Sequence, residues 1–152
     1  GVDNGDKIRL SGKGEAGRKN GNNGDLYVEI SVYPHEIYVR KNIDLYCEVP
    51  ISFFIAVFGG MLEIPTLNEK IKIKIPPETQ TGKIFRLKSS GVKSLKGEGP
   101  GDLYCTVIVE TPINLNDEQK KLLIEFDKSV NNSDKCMPKY NSWSAAIKKF
   151  FK

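Results

Sequence analysis

Before Pro112 the chain is built from short runs in which apolar and polar residues alternate, broken by glycine and proline. Leu26, Val28, Ile30 and Val32 alternate with Tyr27, Glu29 and Ser31, a period near two that predicts a half-buried strand. Ile71, Ile73 and Ile75 alternate with Lys70, Lys72 and Lys74, which puts isoleucine on a core face and lysine on the opposite one. Pro76 and Pro77 end that strand, because proline has no N–H for the ladder. Leu62, Ile64 and Leu67 predict a strand just before it, and the intervening Asn68-Glu69 predicts a hairpin turn. Ser52 to Phe58 has room for about two helical turns, with Ser52 as N-cap and Gly59 as stop.

After Pro112 the period becomes helical. Asn116 can cap a helix, with Gln119 at the reciprocal capping-box position. Leu122, Leu123, Phe126 and Val130 follow on one stripe. Asn131 to Asn141 is polar, contains Pro138 and reads as a linker. A second amphipathic helix is predicted from Ser142, with Trp143, Ile147, Phe150 and Phe151 on its apolar side and Lys148, Lys149 and Lys152 opposite.

An internal repeat organises the β part. At a shift of 77 residues, Gly5 to Gly14 (GDKIRLSGKG) falls on Gly82 to Gly91 (GKIFRLKSSG), and Gly24 to Val32 (GDLYVEISV) falls on Gly101 to Val109 (GDLYCTVIV). No gap is needed, and the identities fall on turn glycines and strand residues. Two copies of one β-rich unit are therefore expected, the first cut short at Gly1. That expectation, and the absence of an initial Met, suggest a piece of a longer protein.

Composition narrows the classes. Hydrophobic residues make up 39% of the chain, too many for a disordered segment. No apolar run approaches the roughly 20 residues of a spanning helix, and the glycine-rich opening does not read as a secretory signal. The net charge of +4 comes from 23 basic and 19 acidic residues that are interspersed, unlike a phosphate-tracking stripe, so no nucleic-acid contact is expected. Cys47, Cys105 and Cys136 lack the paired spacing of a zinc site, and reduced thiols in a cytosol are the expectation.

Candidate chemistry is thin. Gly12, Gly14 and Gly17 spell G-x-G-x-x-G, but Arg18 to Gly24 (RKNGNNG) cannot start the helix that a pyrophosphate site requires. His35 is the sole histidine and has no fixed carboxylate or cysteine beside it in sequence. Serines 89, 90 and 94 have no triad context. No catalytic residue and no metal ligand is assigned, and no enzyme activity is expected. Phe53, Phe54, Ile55, Val57 and Phe58 have two readings, core packing or a groove that receives apolar side chains of a bound peptide.

The ordered matches resemble a known family. Asp44 to Leu67 (DLYCEVPISFFIAVFGGMLEIPTL), Glu78 to Leu87 (ETQTGKIFRL) and Gly101 to Leu115 (GDLYCTVIVETPINL) are similar to the second C-terminal β-domain of bacterial type I DnaJ co-chaperones. Gly5 to Val32 resembles the end of the first β-domain, and Lys148 to Phe151 (KKFF) resembles the family's C-terminus. The resemblance implies a mainly β fold of tandem β-sandwich-like domains, the first partial, followed by a helical dimerisation segment. The corresponding spans are 1–35, 36–113 and 114–152. It implies a cytoplasmic co-chaperone in protein folding and stress response. Such a protein binds unfolded polypeptides and delivers them to a DnaK-type ATPase chaperone. The family's J-domain and cysteine-rich zinc repeats have no counterpart in the sequence, so no cofactor is expected and zinc belongs to the missing region.

In the family an aromatic after His-x-x lies at the edge of the first domain's peptide pocket. Here His35-Glu36-Ile37-Tyr38 places Tyr38 there, next to Ile37, and the flanking charges of Glu36 and Arg40 in a connector between the repeat copies lead to the expectation that Tyr38 is exposed to clients. Phe54 and Phe58 are the further client-binding candidates, in the second domain's groove.

The resemblance also implies a homodimer through the C-terminal helices. Leu122, Leu123, Phe126, Val130, Trp143, Ile147, Phe150 and Phe151 are its candidates. Full burial of a large apolar side chain is worth roughly 1.5–3 kcal/mol, which favours covering both stripes with a second copy through a two-fold interface. Folding back on the chain's own β-domain is the alternative, and docking of the Trp143–Lys152 helix at a membrane surface a lesser one. No membrane partner is expected. The rival function is a non-catalytic β-sandwich adaptor dimer that binds one specific folded protein.

Overall fold

The computed structural model describes residues 1–152, which form two compact units, Gly1–Thr111 and Pro112–Lys152. The first unit is a mainly β structure. In chain order it comprises β1 (Lys7–Leu10), β2 (Leu26–Glu29), β3 (Val39–Lys41), β4 (Asp44–Ser52), α1 (Phe53–Phe58), β5 (Gly60–Pro65), β6 (Lys70–Ile75), β7 (Ile84–Leu87) and β8 (Leu103–Glu110). β1 and β2 pair as one hairpin and β5 and β6 as another, while a four-stranded sheet runs β3-β4-β8-β7. Within that sheet β4 and β8 are parallel and the outer pairings antiparallel.

The core lies between the four-stranded sheet and the β5–β6 hairpin. Leu45, Cys47, Leu87, Leu103 and Cys105 from the sheet meet Ile64 and Tyr38, with Leu62, Ile71 and Ile73 packed against them. A second cluster joins Ile51 and Val107 to Ile75 and to Ala56 of α1. The isoleucine face of β6 turns inward as its alternation predicts, completely at Ile75 and partly at Ile71 and Ile73. Leu67, expected in the preceding strand, is exposed in the turn, because β5 stops at Pro65. That turn is closed by Thr66: its hydroxyl accepts from the amides of Asn68 (3.3 Å) and Glu69 (3.1 Å) and donates to the Glu69 carbonyl (2.7 Å). The threonine closes a hairpin that has no glycine at its tip.

The repeat is a structural repeat. Lys7 pairs with Glu29 as Ile84 pairs with Thr106, and the register continues identically to Leu10–Leu26 and Leu87–Leu103. Asp25 accepts from Arg9 Nε (2.6 Å) and from the Gly12 amide (2.9 Å), and Asp102 does the same with Arg86 Nε (2.7 Å) and the Ser89 amide (2.9 Å). Gly14 donates to the Gly24 carbonyl as Gly91 donates to that of Gly101. The Val32 amide is held by Asn4 and the Val109 amide by Thr81.

The second unit holds α2 (Asp117–Asn131) and α3 (Pro138–Phe150). The predicted capping box closes α2: Asn116 accepts from the Gln119 amide (2.8 Å), and Gln119 accepts from the Asn116 amide (2.9 Å). The linker is shorter than expected, because α3 starts at Pro138 rather than at Ser142. Proline fits the first helical position, where its missing N–H would have had no partner anyway.

Candidate functional site

The connector into β3 turns at His35. Its Nδ1 accepts from the amides of Ile37 (3.0 Å) and Tyr38 (3.3 Å), which folds the chain so that the two side chains diverge. Ile37 is exposed, but Tyr38 is only 8% accessible and belongs to the core. The Tyr38 hydroxyl donates to the Pro65 carbonyl at the end of β5. Burial, with smaller contributions from Cys47 and Cys105, pushes the phenol above its ordinary value and keeps it a neutral donor. The expected exposure of Tyr38 is thus corrected. Flanking charges suggested a surface residue, whereas the His35 turn and a carbonyl distant in sequence draw the ring inward.

Ile37 lines a cavity of about 650 Å³, largely open to solvent, with Glu36, Val39, Lys41, Tyr46, Cys47, Glu48 and Thr106. Tyr46 and Tyr104 stack across β4 and β8 with ring centroids 5.1 Å apart, and the Lys41 ammonium lies 5.1 Å from the Tyr46 centroid. None of these aromatic partners was singled out from sequence. A signal existed: the tetrapeptide Asp-Leu-Tyr-Cys occurs at 44–47 and again at 102–105, and the two copies lie side by side in parallel register.

Phe54 and Phe58 lie on α1. Ser52 accepts from the Ile55 amide (3.1 Å) at its start, and the Gly59 amide donates to the Ile55 carbonyl (2.8 Å) at its end. Gly59 has φ +76°, and a Cβ there would meet the Ile75 carbonyl oxygen at 2.6 Å, so both conformation and space demand glycine. Ala56 anchors the helix in the core, with Ile55 packed beside it. Phe54 and Phe58, one turn apart, point outward, each 66% exposed, with ring centroids 4.8 Å apart. Phe53, Val57 and Met61 are also exposed. The two readings of this stretch therefore divide residue by residue: Ile55 and Ala56 pack, while Phe54 and Phe58 form an apolar surface. The structure brings Phe54 and Phe58 together, places Ile37 at the cavity and buries Tyr38.

In the second unit no residue of α2 or α3 is buried. Leu122, Leu123, Phe126, Trp143, Ile147, Phe150 and Phe151 are exposed and Val130 is half-buried. Tyr140 meets Trp143 at 6.0 Å, and Phe150 meets Phe151 edge-on at 5.2 Å. Phe151 caps α3 rather than lying inside it.

The G-x-G-x-x-G glycines fall in the β1–β2 loop, followed only by a three-residue 3-10 turn at Arg18–Asn20. No group of three or more His, Cys, Asp or Glu is placed to hold a metal ion. No helix is long and apolar enough to cross a membrane. In comparison with known families, the family model described as DnaJ C terminal domain matches residues 1–112.

Proposed function

The chain belongs to the DnaJ C-terminal domain family of co-chaperones, and on that premise we propose that it holds non-native polypeptides through the apolar surface of α1 and passes them to a DnaK-type ATPase chaperone. The observation that carries this reading is the pair Phe54 and Phe58, kept exposed by a helix whose cap, stop and inner face are all fixed. Two neighbouring aromatic rings left in water forgo burial worth roughly 1.5–3 kcal/mol each, a cost that a binding role explains. Ile37, at the cavity, is the second contact in this reading. Residues 1–35 are read as the end of one β-domain and 36–113 as the next, in a cytoplasmic protein that takes part in folding and stress response. Clients and the ATPase are its partners, and nucleic acid and membrane are not.

We further propose a homodimer through α2 and α3. Its support is the lack of any buried residue in either helix while both apolar stripes, half-buried Val130 apart, stay exposed. In light scattering after chromatography, residues 1–152 are expected as a dimer and residues 1–113 as a monomer, and a dimeric truncation would move the interface elsewhere. The client site is tested with a labelled, permanently unfolded polypeptide. Phe54→Ser/Phe58→Ser is expected to weaken binding at least about tenfold, a loss of about 1.4 kcal/mol, with the urea midpoint unchanged. Unchanged affinity would remove α1 from the site.

A further inference from the structure

Cys47 and Cys105 are the paired last residues of the two Asp-Leu-Tyr-Cys segments, directly opposite one another on β4 and β8. Both side chains lie in the core, with their sulfurs 3.5 Å apart in a shared hydrogen bond. Neighbouring strands run about 4.8 Å apart, inside the Cα separation that a disulfide spans, and a bond requires the sulfurs to close by about 1.5 Å. The two thiols differ slightly in access: on the core face of the sheet Cys105 is 0% exposed and Cys47 7%. The geometry points to Cys47 and Cys105 as a thiol pair that a small hydroperoxide oxidises to a disulfide between β4 and β8.

The shared hydrogen bond draws the Cys47 thiol below its ordinary value against the opposing effect of burial, while the hydrogen bond and burial push Cys105 up. Cys47, the only one of the two with any accessible surface, is the thiol that a peroxide meets first and therefore the first nucleophile. Its thiol gives up a proton and the thiolate attacks one oxygen of hydrogen peroxide. The O–O bond breaks, Cys47 becomes a sulfenic acid, and the expelled hydroxide takes the proton and leaves as water. The Cys105 sulfur then attacks the Cys47 sulfur. The S–O bond breaks, and the hydroxyl leaves as a second water with the Cys105 proton. Two thiols are oxidised to one disulfide, and one peroxide is reduced to two waters.

Cys136, exposed in the second unit, is an internal control that has no such partner. The full chain is treated with hydrogen peroxide, unfolded, alkylated and mapped by mass spectrometry without reduction. The expected product is a peptide pair joined through Cys47 and Cys105, two hydrogens lighter than the separate peptides, which dithiothreitol splits to restore both thiols. Cys136→Ser should leave this product unchanged and remove links between chains. Cys105→Ser should leave a Cys47 sulfenic acid that dimedone traps, and the wild-type map decides alone if that variant fails to fold. Free Cys47 and Cys105 at a dose that oxidises Cys136, separate sulfinic acids, or links to Cys136 in their place would overturn the assignment.

Discussion

The β1–β2 and β7–β8 hairpins share register, turn hydrogen bonds and ion pair, yet their inner faces differ sharply. Leu10, Leu26 and Val28 are 41%, 43% and 37% exposed, whereas their repeat mates Leu87, Leu103 and Cys105 are 8%, 0% and 0% exposed. β8 has β4 along its free edge and β5–β6 across its face, and β2 has only β1. Local residues build a hairpin to the last hydrogen bond, and partners distant in sequence decide whether it becomes core.

The sharpest way to break that contrast is a matched pair of substitutions. Leu103→Ala is expected to cost roughly 2–5 kcal/mol in urea unfolding, the range for deleting a fully buried leucine side chain. Leu26→Ala, its repeat mate, is expected to cost about 0.5 kcal/mol or less, as surface changes do. Equal losses would mean that the first hairpin is buried in solution. A smaller effect probes the connector between the hairpins. Tyr38→Phe keeps the ring in the core but strips the Pro65 carbonyl of its donor, which is expected to cost about 1–3 kcal/mol. Retained stability would show that water replaces the hydroxyl.

The smallest effect concerns the two loop aspartates. The Ser89 amide and then Arg86 hold the Asp102 carboxyl below the usual aspartate range. A depressed folded value gives stability that is present above the unfolded aspartate pKa and is lost as pH falls through the folded one. Asp102→Asn is therefore expected to lower the urea midpoint at neutral pH slightly and to flatten its decline in acid. Asp25→Asn should loosen only the first hairpin, read as faster amide exchange at Gly12 with no change in the global midpoint. A global loss from Asp25→Asn would contradict the contrast.

The same division between local and distant causes explains what could be read from sequence. The repeat, the isoleucine face of β6, the Ser52 cap with its Gly59 stop and the Asn116 capping box all rest on residues within one turn or strand, and each is present. The inward turn of Tyr38 depends on Pro65, 27 residues away, and flanking charges pointed the other way. Parallel pairing of β4 with β8 joins residues 58 apart, so the cavity between Ile37, Tyr46 and Thr106 had no local signature. Pro138 carried two meanings, linker breaker or first helical residue, and only the observed helix separates them. Within the client-site candidates, residues 53–58 were ambiguous because a six-residue helix gives too few turns to tell its inner face from its outer one.

A chaperone surface should be indifferent to which unfolded chain it meets, whereas an adaptor recognises one folded partner. Light scattering of two unrelated, chemically denatured proteins during dilution from denaturant separates these readings. With residues 1–152 in molar excess, aggregation of both should be suppressed, and Phe54→Ser/Phe58→Ser should lose most of that suppression for both while remaining folded. Suppression of neither protein, or equal suppression by the double variant, would contradict a client-holding role for the aromatic face of α1.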